Sequence, residues 1–134
     1  MARFAMTTSQ EYIPGVCNIG RAEIRRRKLI GWGALATTVV LWIAFAVIPL
    51  SAPWRLFLFF PASLAATGFL QAAWHFCAKF GLRGVFNFGP NAGKTDTVEQ
   101  AEFRRQDRRT AIQIIALSLL AGAAVAAAAY FLPI

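Results

Sequence analysis

The sequence predicts an all-α, multi-pass membrane protein with three transmembrane helices, and three observations carry that prediction. Of its 134 residues, 57% are apolar and only 15% charged, against roughly 45–50% and 25% in a typical soluble domain. Three stretches, 29–50, 56–76 and 111–134, contain no Asp, Glu, Lys or Arg, and at about 1.5 Å per residue each reaches across a hydrocarbon core of roughly 30 Å. The 14 Lys and Arg outnumber the 6 Asp and Glu to give a net charge of +8, and all of them except Arg55 lie before the first stretch or between the second and third. Disorder is excluded by the apolar content, and a disulfide scaffold by a count of two cysteines.

Residues 1–28 form a cytoplasmic juxtamembrane segment. The first span, 29–50, has too long an apolar run for the 7–15-residue core of a cleaved signal and reads as a signal anchor. The second, 56–76, holds Pro61. A kink is the favoured consequence; the alternative is that the helix starts at Pro61 after an aromatic interfacial turn from Trp54 to Phe60. Residues 78–110 form a basic cytoplasmic loop with an amphipathic lead-in to the third span, 111–134. The cation bias places the N-terminus in the cytoplasm and the C-terminus outside, in the cell inner (plasma) membrane. Trp32 and Trp74 then fall at the inner interface and Trp54 at the outer one.

Two short strings repeat. Gly15-Val16-Cys17-Asn18-Ile19-Gly20 precedes the first span and Gly84-Val85-Phe86-Asn87-Phe88-Gly89 precedes the third; Ala22-Glu23-Ile24-Arg25-Arg26 answers Ala101-Glu102-Phe103-Arg104-Arg105. Each copy predicts a turn, at Asn18 and Gly20 or Asn87 and Gly89. An arginine-rich lead-in follows, resting on the anionic inner leaflet through Arg25, Arg26 and Arg27 in one copy and Arg104, Arg105, Arg108 and Arg109 in the other. True duplication and coincidence are both open readings. Gly89 to Thr95 is not a phosphate-binding loop, because three residues rather than four separate its glycines and Pro90 removes a backbone donor. The basic clusters sit at span ends, so they report topology and lipid contact, with no nucleic-acid partner.

Ser63, Thr67, Gln71, His75 and Lys79 recur every four residues along the second span, bordered by Gly68 and Ala72. Polar groups beside small residues are the ordinary adhesive between membrane helices, and a polar conduit is the alternative. The third span carries a line of small residues, Ser118, Gly122 and Ala126, with Tyr130 next, so it should be well covered by another helix of the chain or of a partner. Cys17, His75 and Cys77 would all lie on the inner side. Together they could supply three ligands of a soft-metal site, or the cysteines a thiol pair, although the spacing is no metal signature. No cofactor is called for. One His gives no nucleophile–base–acid set, and the six carboxylates (Glu11, Glu23, Asp96, Glu99, Glu102 and Asp107) lie among charges that favour solvated pairing.

The run Asn18-Ile19-Gly20-x-x-Glu23-Ile24-x-x-Arg27-x-x-Ile30-Gly31, followed by a span, a short outer loop, Thr67-Gly68-Phe69, Phe76-Cys77 and Phe80-Gly81, resembles the YgaP-like transmembrane domain family. The resemblance covers roughly residues 17–84. It implies a two-helix inner-membrane module, alone or fused to a rhodanese sulfurtransferase, that anchors and dimerises. It would assign the turn to Asn18 and Gly20, the inner-leaflet lead-in to Glu23 and Arg27, and the terminal cysteine to Cys77. This chain differs in having no Pro after Cys77, no sulfurtransferase domain and a third helix.

The expected function is thus that of a small inner-membrane protein, self-associating as a homo-oligomer or accessory to a membrane-protein partner, and not an enzyme. A thiol relay or metal-handling protein using Cys17, His75 and Cys77 is one alternative; a small transporter or channel formed by an oligomer is another.

Overall fold

Apolar runs become helices here, and the arginines before them are drawn into the same helices. The computed structural model describes residues 12–132. Helix α1 spans Arg21–Val47, a 3-10 segment spans Ala52–Leu58, α2 spans Phe59–Trp74, a short α3 spans Ala78–Arg83, and α4 spans Ala101–Phe131. Between α3 and α4 lies an antiparallel ribbon of two-residue strands, β1 (Val85–Phe86) and β2 (Asp96–Thr97), pairing Val85 with Thr97 and Phe86 with Asp96. The structure is mostly helical, with three helices long and apolar enough to cross a membrane. The minute ribbon is the one departure from an all-α expectation.

The boundaries differ from the apolar runs for local reasons. No Gly or Pro lies between Arg21 and Ile30 or between Ala101 and Ala121, and Ala, Glu, Arg and Gln are good helix formers. Both lead-ins are therefore the first turns of α1 and α4, not separate elements. Pro61 is the third residue of α2, where its missing N–H would have had no intrahelical partner in any case. It lies in the first turn of α2, directly after the aromatic 3-10 segment, where the alternative reading puts it. α2 ends at Trp74 because His75 adopts the left-handed conformation, φ 54° and ψ 41°; Phe76 N–H then donates to the Gln71 carbonyl at 3.0 Å. The second span is accordingly Ala52–Trp74.

α2 is the helix on which both others pack, while α1 and α4 scarcely touch each other. Close approach is made by small residues. A Cβ on Gly68 would stand 2.7 Å from Gly31 N and 2.8 Å from Arg27 O, and one on Gly122 would overlap Ser63 Oγ and stand 2.9 Å from Phe59 O. Each span buries one narrow face: Gly31, Ala34 and Thr38 on α1; Ala62, Ala65, Gly68 and Ala72 on α2; Ile114, Ser118, Gly122 and Ala126 on α4. Large apolar side chains point outward, with Leu29 67%, Val47 76%, Leu120 66% and Phe131 79% exposed. Water would drive that pattern the other way round, so these faces are suited to lipid.

Arg55 closes the end opposite the arginines. Its Nη1 donates to the carbonyls of Ala129 (3.2 Å) and Leu132 (3.1 Å), which satisfies orphan acceptors at the α4 C-terminus.

Candidate functional site

At the arginine-rich end, the start of α1, the end of α2, α3 and the start of α4 meet. The two repeated turns are what join them. Ile19 and Asn87 form a parallel bridge, in which Asn87 N–H donates to Asn18 O (3.0 Å) and Gly20 N–H to Asn87 O (2.8 Å). The first turn thereby lies against the second, a tertiary pairing of the two strings.

Asn18, fully buried, binds the turn after α2 on both sides of its amide: Cys77 N–H donates to its Oδ1 at 2.7 Å and its Nδ2 donates to Cys77 O at 3.1 Å. Its own N–H donates to His75 O at 3.1 Å. Asn87 plays the corresponding part in the second copy, donating through Nδ2 to Glu23 Oε2 (2.8 Å) and Asn91 O (3.0 Å) while accepting from Gly89 N–H. Gly93 N–H also donates to Glu23 Oε2. Four residues on, Arg27 meets Glu23 Oε1 at 3.0 Å, donates to Cys77 Sγ at 2.9 Å and lies over the Phe80 ring. The chain is continuous from Asn18 through Cys77 and Arg27 to Glu23 and Asn87.

A second cluster straps the N-terminal turn across α4. Tyr12 hydroxyl donates to Asp107 Oδ2 (2.6 Å), Gly15 N–H to Asp107 Oδ1 (2.7 Å) and Thr110 hydroxyl to Gly15 O (2.6 Å). Burial, aided by the adjacent Asp107 carboxylate, pushes the Tyr12 phenol above its ordinary value, so it remains a donor. Gly81 allows α3 to lie on α4: a Cβ there would be 2.9 Å from Asp107 O.

Several expectations change here. Glu23 and Asp107 are completely buried rather than solvated, because backbone N–H groups and, for Glu23, Arg27 replace water around them. Glu11 lies outside the described residues. Arg27 is buried in the hub and so is not a lipid-facing side chain, while the half-buried Arg104 donates through Nη1 to the carbonyls of Val98 (2.8 Å) and Glu99 (2.7 Å). Arg25, Arg26, Arg108 and Arg109 are exposed, and Arg105 pairs on the surface with Glu102 at 3.2 Å.

The four-residue stripe on the second span is interrupted at His75, where the helix ends, and Lys79 belongs to α3. Of its other members, Ser63 lies against Gly122, Thr67 hydroxyl donates back to Ser63 O, and Gln71 Oε1 accepts from Ala78 N–H at 2.8 Å. Thr67 and Gln71 thus spend hydrogen bonds locally, whereas Ser63 Oγ is buried without a hydrogen-bond partner among the described residues. Cys17 and Cys77 are buried and are not joined in a disulfide, and Cys17 Sγ points to Ile19 O. Asn18 ties the backbone of His75 and Cys77 to the N-terminal turn, yet among the described residues no group of three His, Cys, Asp or Glu side chains is disposed to hold a metal.

Against this geometry, comparison with known proteins adds nothing. No family model, curated protein or solved structure matches the chain. The likeness to the YgaP-like module therefore rests on the quoted residues alone.

A groove borders the hub, about 740 Å³ in volume. It exists because α1 and α4 flank α2 without meeting. Its lining is polar on one side, with Arg26, Lys79 and Arg83, and apolar on the other, with the surface-exposed Ile30, Leu64 and Ile115.

Proposed function

We propose that the chain is a self-associating accessory module of the inner membrane, N-terminus in the cytoplasm and C-terminus outside, with no catalysis of its own. The observation that carries this is the division of α4 into two small-residue faces. Ser118, Gly122 and Ala126 are buried on α2, whereas Ala121, Ala124 and Ala128 form a second line that no described residue covers. An alanine-rich helix gains little from lipid, and such a line lets a second helix approach closely. The hub supports the same reading: Asn18, Glu23, Arg27 and Asn87 bind one another and the backbone, and Asp107 binds Tyr12 and the Gly15 backbone, as groups holding a shape do. The resemblance to an anchoring and dimerising module points the same way.

Crosslinking in native membranes, with size analysis in mild detergent, tests it. Wild type should be captured as a dimer or with a partner, and Ala124→Phe should reduce capture several-fold while the helical circular dichroism stays unchanged. A wild-type chain that ran solely as monomer and captured nothing would end the proposal.

The thiol alternative retains one contact in its favour, Arg27 to Cys77 Sγ. Metal content unchanged in Cys77→Ser would remove its metal form.

A further inference from the structure

We infer that the groove between α1, α2 and α3 is a binding site for one anionic phospholipid of the surrounding bilayer. The inference rests on the reading of the chain as an inner-membrane protein and adds a specific ligand to it.

The first argument is unspent charge. Three cations from two elements, Arg26 of α1 with Lys79 and Arg83 of α3, line one concavity, and none of them forms an ion pair among the described residues. The neighbouring Arg27 differs, being neutralised by Glu23. All three are exposed, so their mutual repulsion is screened by water, while an anion entering the hollow is attracted by all of them at once. Guanidinium forks and an ammonium point charge are together suited to phosphate oxygens.

The second argument is the change of character along the groove. From Gln71 near the end of α2 the groove runs back to Leu64, seven residues or about 10 Å of helix. Over that distance its wall passes from Gln71 and Thr67 to Leu64, Ile30 and Ile115. Free phosphate has no use for the apolar part; a headgroup followed by its acyl chain uses both. The polar side also lies where α2 ends and the cations begin, which is headgroup depth in the proposed orientation. A volume of about 740 Å³ falls within the roughly 300–1,000 Å³ of small-molecule sites.

A diffuse basic surface is the competing outcome, and the test separates the two. The full-length chain, purified in mild detergent, is titrated with phosphatidylglycerol and with phosphatidylcholine, and lipid adducts are read by native mass spectrometry. One saturable phosphatidylglycerol should bind at least about tenfold more tightly than phosphatidylcholine, because cations at a membrane surface favour anionic headgroups. Arg26→Gln, Lys79→Gln and Arg83→Gln combined should abolish that preference. A control of equal charge loss, Arg21→Gln, Lys28→Gln and Lys94→Gln, should keep it. Leu64→Trp, at an exposed position, should weaken phosphatidylglycerol binding several-fold without altering charge. Equal loss in the charge-matched control would overturn the site in favour of diffuse attraction. Displacement of the lipid by millimolar inorganic phosphate would overturn the lipid assignment in favour of a free-phosphate site. Neither outcome depends on oligomeric state, so failure here is distinct from failure of the self-association proposal.

Discussion

Asn18 shows how much one side chain can hold. Its amide is the link between the N-terminal turn and the turn after α2, and both of its bonds go to the backbone of one residue, Cys77. Asn18→Ala leaves a buried donor and a buried acceptor unmatched, at about 1–3 kcal/mol each. Thermal unfolding in detergent should show a clearly lowered midpoint, with Asn18→Asp recovering only the acceptor half. Tyr12 carries a pH signature. Its pKa is raised on folding, so the folded chain keeps the proton after the unfolded chain, ordinary value 10.0, has begun to lose it. The stabilisation from the strap is complete below that value and declines as pH rises above it. A melting series from pH 8 to 11 should reveal this decline, and Tyr12→Phe should flatten it.

Glu23 and Asp107 were hidden by their neighbours. A carboxylate beside arginines ordinarily reads as a surface pair, and composition does not distinguish the buried kind. The stride did contain a signal. Glu23, Arg27 and Gly31 are four apart and lead into Ala34 and Thr38 on the buried face of α1; Asp107 continues backward the face of α4 that carries Ile114, Ser118 and Gly122. Running each packing face past the end of its apolar stretch would have found all three charged residues.

Among the elements, α2 is the most constrained, because it must end sharply and receive a helix on each side. The left-handed His75 is the device for ending it, at a cost of roughly 1–2 kcal/mol for a residue with a Cβ. His75→Gly should raise the melting midpoint if the loss of that cost outweighs the side chain's own contacts, whereas a β-branched His75→Val should lower it by several degrees. Gly68 is the device for receiving α1. Gly68→Leu places a side chain where the backbone of Gly31 lies, so α1 and α2 should separate and the protein should lose protection from proteolysis in mild detergent. The extents of the spans were legible in the absence of charge, and the small-residue positions in their spacing. The terminus of α2 was not, since His75 and Phe76 remain apolar or neutral and nothing local announces a left-handed turn at a histidine.

At the scale of the whole molecule, the repeated strings were legible as strings, but their meeting was not. Pairing Ile19 with Asn87 is long-range information that neither copy contains alone. The equivalence extends to backbone conformation: Gly15 and Gly84, the first residues of the two copies, both have φ of 71°. It stops at the acids, because Glu23 is buried while Glu102 pairs on the surface with Arg105. Orientation belongs to this scale as well. With single cysteines introduced at Thr95 and Ser51 in a Cys17→Ala, Cys77→Ala background, a membrane-impermeant maleimide applied to intact cells should label position 51 and spare position 95. The reverse pattern would invert the proposed topology.

The strap over Asp107 also sets a timetable. Tyr12 and Asp107 are 95 residues apart in sequence, so a chain emerging in order must insert α1 and α2 and then wait. Until α4 arrives, Gly15 N–H and the Tyr12 hydroxyl have no Asp107 to bind. The earliest described segment of the chain is therefore secured only by one of the last to be made.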